Sequence, residues 1–201
     1  MSEAVRTRPS APRWKRRRVE LLMQVSLVIL GALLAFGFGQ WKEQRDEQAR
    51  ARVALESIRS ELRTNRDEVE RARRYHAVLA DRFEQLEQRG AAQPGWDDFP
   101  QGLLSPARVV STAWQSAMTT GVAAQWPYEE LLALSSIYET QASYARLSDA
   151  LLASTYQDLM RNGPRRLLDG YANFVPLQRD FSGKESELVA AYDRVLAAIA
   201  N

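Results

Sequence analysis

The chain has 201 residues, no cysteine and one histidine, with 27 Lys+Arg against 25 Asp+Glu. That length holds one membrane-length helix and one folded domain, and the composition excludes disulfides, thiolate nucleophiles, Cys-based metal sites and a dinuclear site built from paired Glu-x-x-His units. The net charge of +2 is uneven: seven basic and two acidic side chains give the first twenty residues +5 and leave −3 for the rest, so the basicity belongs to a tail and not to a nucleic-acid-binding surface.

Residues 1–18 form this basic tail, ending in Arg16, Arg17 and Arg18. The apolar run LLMQVSLVILGALLAFGF follows over residues 21–38, with only Gln24 and Ser26 polar inside it and Trp41 just beyond. A helix needs about 20 residues to cross a hydrocarbon core, and a cleaved signal peptide has a shorter apolar core of about 7–15. The expectation is an uncleaved transmembrane helix over residues 19–41. A faint twin-arginine echo at Arg17-Arg18 is weakened by Glu20.

Basic residues cluster more tightly before the run than after it, where Lys42, Arg45, Arg50, Arg52 and Arg59 are spread out. The positive-inside bias then places the N-terminus in the cytoplasm and residues 42–201 outside, in the periplasm of a bacterial inner membrane. Gly31, Ala35 and Gly39 repeat every fourth residue. This small-residue face is a candidate surface for close helix dimerisation.

Residues 42–89 contain neither Pro nor Gly and read as a long helix. Leu55, Ile58, Leu62, Asn65, Val69, Ala72, His76, Leu79, Phe83 and Leu86 alternate by three and four residues, a heptad seam for packing against partner helices. Later helices of the same chain are the preferred partner, because their own apolar faces need cover; a second copy is the alternative. Asn65 and His76 are the polar seam positions. Histidine invites a ligand-binding or proton-sensing reading, but a polar residue that fixes register is the preferred one.

Gly90, Pro94, Gly95, Pro100 and Gly102 mark a loop. Ser105-Pro106 reads as the start of a helix over residues 106–120, and Gly121 as its terminator. A charge-poor helix follows over residues 127–161, apolar on more than one face and therefore central. Asn162-Gly163-Pro164 makes a turn into a helix over residues 164–181, bent at Pro176. Ser182 to Glu185 match a capping box that opens a last helix over residues 183–200. The fold class is all-α: an N-terminal transmembrane helix continuing into a long heptad helix that packs in an antiparallel helical bundle.

The anchor end LVILGALLAFGFGQWKEQR, the heptad start ALESIRSELRTNRDEVE and the block AWQSAMTTGVAAQWPYEELLALSSIYETQASY resemble a widespread group of uncharacterised bacterial single-pass membrane proteins. The resemblance spans residues 17–160. It implies an N-terminal anchor with a helical outer domain and adds no chemistry.

Catalytic signatures are missing from the sequence. Asp97-Asp98 reads as a solvated turn and not as a cation site. Ser111, Ser116 and Ser135 lack a nucleophile elbow, and no Gly-rich phosphate loop occurs. Trp114, Trp126, Tyr128, Tyr138 and Tyr144 are candidates for an apolar ligand pocket between helices, against the plainer role of bundle core. The sequence thus points to a non-enzyme without cofactor or metal, a membrane-anchored interaction or scaffold protein of the bacterial envelope. Its expected partners are the lipid bilayer and another envelope protein or a second copy, with no nucleic acid. The alternative is a ligand-binding sensory bundle acting through a partner protein.

Overall fold

The computed structural model describes residues 13–88 and 94–199; for residues 13–22, Val25, Ala32, Leu167 and Tyr171 only the backbone is described. Every regular element among the described residues is helical. The helices are α1 (Arg13–Gln88), α2 (Thr112–Thr119), α3 (Tyr128–Asp169) and α4 (Phe174–Ala198), with short 3-10 turns at Trp96–Asp98, Val122–Gln125 and Tyr171–Asn173. The chain divides into two units, Met1–Ala49 and Arg50–Asn201.

In the first unit, α1 carries Met23, Leu27, Val28, Ile29, Leu30, Leu33, Leu34, Phe36 and Phe38 exposed to the surroundings. Among the described residues no helix is long and apolar enough to cross a membrane. The expected span over residues 19–41 begins at positions whose side chains lie outside the described residues. Gly31, Ala35 and Gly39 are exposed, and a Cβ added at Gly31 or Gly39 would meet nothing.

The second unit is built on the heptad seam. Ile58, Leu62, Asn65, Val69, Ala72, His76, Leu79 and Phe83 are all buried. Ile58, Leu62 and Val69 share one apolar cluster with Leu134, Ile137 and Tyr138 of α3 and Phe181, Leu188 and Tyr192 of α4. A second cluster joins Leu79 and Phe83 to Phe99 and Leu103. The seam therefore closes on later helices of its own chain. The bonded pairs give the directions. Glu61 meets Tyr138 and Asn65 meets Gln141, so α3 runs parallel to this part of α1. Arg66 meets Asp193 and Arg179 meets Glu84, so α4 runs antiparallel to it.

Several element boundaries differ from the sequence expectation, each for a local reason. No helix starts at Pro106. Gly102 takes a positive φ of 88°, Pro106 disfavours helical backbone at Ser105, and side chains of α1 and α3 bind the backbone of residues 105–110. Residues 102–111 therefore form a non-helical strap, and α2 begins only at Thr112. The expected helices over 164–181 and 183–200 are replaced by a short continuation of α3 and one uninterrupted α4. Gly163 breaks α3 with φ 74° and ψ 168°, and the next break falls at Gly170, twelve residues before the expected one. Pro176 sits in the first turn of α4, where a missing N–H costs nothing, so it does not bend the helix. Glu185 is not a cap; it lies in the middle of α4, fully buried.

The backbone at Gly163 is one that only glycine adopts without strain. Gly163→Ala is expected to lower stability by roughly 1–2 kcal/mol, read from the urea midpoint. An unchanged midpoint would show that the kink is not held by the fold.

Candidate functional site

The strap carries amide groups into the interior with no helical partners of their own. Buried backbone polar groups must be paired, and the pairing is done by side chains at heptad positions of all three long helices. It forms three levels.

At the first level, the Ser105 N–H donates to His76 Nε2 at 3.2 Å. That nitrogen must then be the bare one, so the imidazole is neutral and carries its proton on Nδ1. Nδ1 lies 2.8 Å from Glu185 Oε2, with both side chains fully buried, and donates to it. The other carboxylate oxygen, Oε1, accepts from the Tyr144 hydroxyl at 2.7 Å, and the same hydroxyl oxygen accepts the Ala107 N–H at 2.9 Å. Nearby, Tyr75 donates to the Gly102 carbonyl and Gln178 to the Leu103 carbonyl.

At the second level, Asn65 imitates a peptide group. Its Oδ1 accepts the Val110 N–H at 3.0 Å, and its Nδ2 donates to the Val110 carbonyl at 2.7 Å. Gln141 Nε2 donates to the same carbonyl at 2.9 Å, while Gln141 Oε1 accepts from Asn65 at 3.0 Å and from the Tyr192 hydroxyl at 2.7 Å. At the third level, Glu61 accepts the Ala113 N–H at 2.8 Å and the Tyr138 hydroxyl at 2.7 Å. A carboxylate on an N–H in the first turn of α2 also suits the helix dipole. Burial, reinforced by the Glu61 and Glu185 carboxylates, raises Tyr138, Tyr144 and Tyr192 well above the usual phenol range.

The two polar seam positions thus share one task, holding the strap. His76, Glu185 and Tyr144 have the residue types of a proton-transfer site. However, His76 has no exposed surface, and the nitrogen that would act as a base already accepts the Ser105 amide. The arrangement as it stands is a structural clamp.

The aromatic candidates do not converge on one cavity. Trp114 and Tyr138 stack on each other, centroids 5.1 Å apart. Trp126 is buried and its indole N–H caps the Ala51 carbonyl at 3.1 Å. Tyr128 is 71% exposed, and Tyr144 belongs to the His76 level. Two open grooves border the bundle. One, of about 660 Å³, runs between α3 and α4 past Ser136, Thr140 and Ser143 on one side and Lys184, Ala191 and Arg194 on the other. The other, of about 610 Å³, lies between α1 and the strap and is edged by Arg71, Arg74, Tyr75 and Arg108. Among the described residues no three His, Asp or Glu side chains gather as a metal site.

Glu61, Gln141, Gln178, Glu185 and Tyr192 complete the clamp, and the sequence singles out none of them as a site residue. A signal for all but Glu61 exists. Gln178, Phe181, Glu185, Leu188, Tyr192, Val195 and Ile199 alternate by three and four, as do Leu134, Ile137, Gln141, Tyr144 and Ser148. Reading polar residues as members of these seams finds Gln141, Gln178 and Glu185, whereas Glu61 lies one residue off the α1 seam and has no such signal. No protein-family model, curated protein or solved structure matches the chain.

Proposed function

We propose that this is a single-pass membrane-anchored protein of the bacterial inner membrane, of the group it resembles in sequence. Its helical domain lies on the periplasmic side and works without catalysis, as an interaction or scaffold module for another envelope protein. The observation that carries the reading is the exposed stretch of α1. Leu27, Val28, Ile29 and Leu30 are consecutive and 54–74% exposed, so they cover every side of the helix. A helix apolar all round is not at rest in water, and a lipid bilayer supplies the missing surroundings. Trp41, with the Arg45 guanidinium 4.9 Å from its ring centre, suits a headgroup interface. The engagement of the buried polar side chains with the strap supports the non-enzymatic part.

Membrane extraction tests the anchor. The full chain is expected to stay with membranes through an alkaline carbonate wash, and Leu30→Arg is expected to make it extractable, because a central arginine opposes insertion. Complete release of the unaltered chain by the wash would sink the reading. Alkaline phosphatase fused after Asn201 is expected to be active, as a periplasmic location requires; activity only from a cytoplasmic reporter at the same site would reverse the orientation. For the interaction role, capture from detergent extracts is expected to return one envelope protein repeatedly.

The groove between α3 and α4 favours a second reading, a ligand-binding sensory bundle that signals through a partner protein. A ligand there would raise the melting temperature of the full chain, and a thermal-shift screen separates the two readings.

A further inference from the structure

We propose that His76 is a proton-operated latch: its protonation releases the strap of residues 102–111 from the bundle. The inference is independent of membrane anchorage and of any partner.

Three facts place the latch. His76 is the one histidine of the chain and is fully buried. Its Nε2 accepts the Ser105 N–H while its Nδ1 faces Glu185. The segment it holds is non-helical and is tied to the bundle chiefly by side chains. In the closed arrangement both imidazole nitrogens are committed, and only the neutral ring satisfies both partners. A proton on Nε2 would place an N–H against the Ser105 N–H, donor facing donor. Closed strap and imidazolium are therefore mutually exclusive, whereas an open strap lets water accept the Nε2 proton.

The groups around His76 bear on the sign. On α4, Glu185 faces Nδ1 and the Phe181 ring lies 5.3 Å away. On α3, Tyr144 shares Glu185. On α1, the Tyr75 ring lies at 5.7 Å, and Arg73 feels the charge of Glu185. On the strap, only the Ser105 amide meets the ring nitrogens, with Arg108 at the edge of the outer groove. Glu185 can accept the Nδ1 proton in either state of the ring, and among the described residues no acceptor stands at Nε2 in the closed site. Opening therefore takes up a proton and is promoted by acid. With one proton taken up on opening, the open-to-closed ratio rises by up to tenfold per unit fall in pH.

Because the chain lacks cysteine, Leu104→Cys places one thiol on the strap, at a position now 7% exposed. Its labelling by 4,4′-dithiodipyridine is measured on the full chain in detergent micelles and divided by the rate for a free cysteine peptide at each pH. The normalised rate is expected to rise severalfold, up to tenfold, between pH 6.5 and 5.5. With His76→Gln added, whose amide can accept from Ser105 and donate to Glu185 but binds no proton, the rise is expected to vanish. The imidazole ¹⁵N spectrum of the His76-bearing chain reports that single ring and is expected to show Nδ1–H at neutral pH and the cation over the range where the thiol opens. An equal acid response with and without His76 would assign the effect to Glu185 or to general loosening and overturn the proposal. An imidazolium spectrum with the thiol still protected would overturn it even if the glutamine variant failed to fold.

Discussion

Glu185→Leu is expected to destabilise the helical domain by roughly 3–5 kcal/mol, among the largest effects of any single substitution in the chain. Leucine nearly fills the volume, so the loss is not a cavity. It removes the acceptor of two buried donors at once, His76 Nδ1–H and the Tyr144 hydroxyl. Each orphaned buried donor costs about 1–3 kcal/mol. His76 has no easy escape: moving its proton to Nε2 would set it against the Ser105 N–H. Tyr144 is similarly held, because its oxygen already receives the Ala107 N–H. Relief from a buried carboxylate offsets part of the loss. Glu185→Gln should fall between, near 2 kcal/mol, since one amide arm still accepts while the other presents a donor where an acceptor is needed. His76→Gln should cost less than either, because glutamine can both accept and donate. Urea midpoints of the three variants, with shared m-values, test the order. A Glu185→Leu protein as stable as the parent would mean that the carboxylate is not the centre of the clamp.

How far the sequence carries this picture varies by level. The α1 seam was legible because its steps of three and four persist over many turns, and burial at Ile58, Leu62, Val69 and Phe83 matches it. Long periodic segments reveal themselves. The strap was hidden because Ser105-Pro106 has the local form of a helix start, and what keeps those residues extended is remote. Asn65 is 45 residues from Val110 and His76 is 29 from Ser105. No local rule anticipates an asparagine that pairs like a neighbouring strand.

Glu185 shows the same limit from the other side. Ser182 to Glu185 satisfies the capping-box spacing, yet the α4 seam through Phe181, Leu188 and Tyr192 runs through Glu185, and the seam prevails. A carboxylate can lie buried there only because α1 and α3 bring it two donors. Asn65 and His76, by contrast, were visible as interruptions in an apolar stripe. Register and strap-holding turn out to be one job, since the amides of the strap meet polar side chains only at the right axial level.

Raising the pH above 10 is expected to unfold the domain cooperatively, with stability falling by about 4 kcal/mol per pH unit once the unfolded tyrosines are ionised. Tyr138, Tyr144 and Tyr192 are 5%, 6% and 0% exposed. Their phenol values are all raised, first by burial and then by Glu61 beside Tyr138 and Tyr192 and by Glu185 beside Tyr144. The sign follows from proton counts. In the unfolded chain the three ionise near pH 10, while in the fold they keep their protons. Above pH 10 the unfolded state therefore binds fewer protons, and stability falls as pH rises. Below pH 10 their contribution is fully present. Each tyrosine supplies a limiting slope of about 1.4 kcal/mol per pH unit, and a domain of ordinary stability, about 5–15 kcal/mol, is exhausted within a few units. Absorbance of tyrosinate and helical circular dichroism, followed together, resolve the order of events. The three buried tyrosines should ionise in step with unfolding, and Tyr192→Phe should cut the slope by about a third. Smooth ionisation of all tyrosines near pH 10 with the helix signal intact would show that these hydroxyls are not sealed inside the clamp.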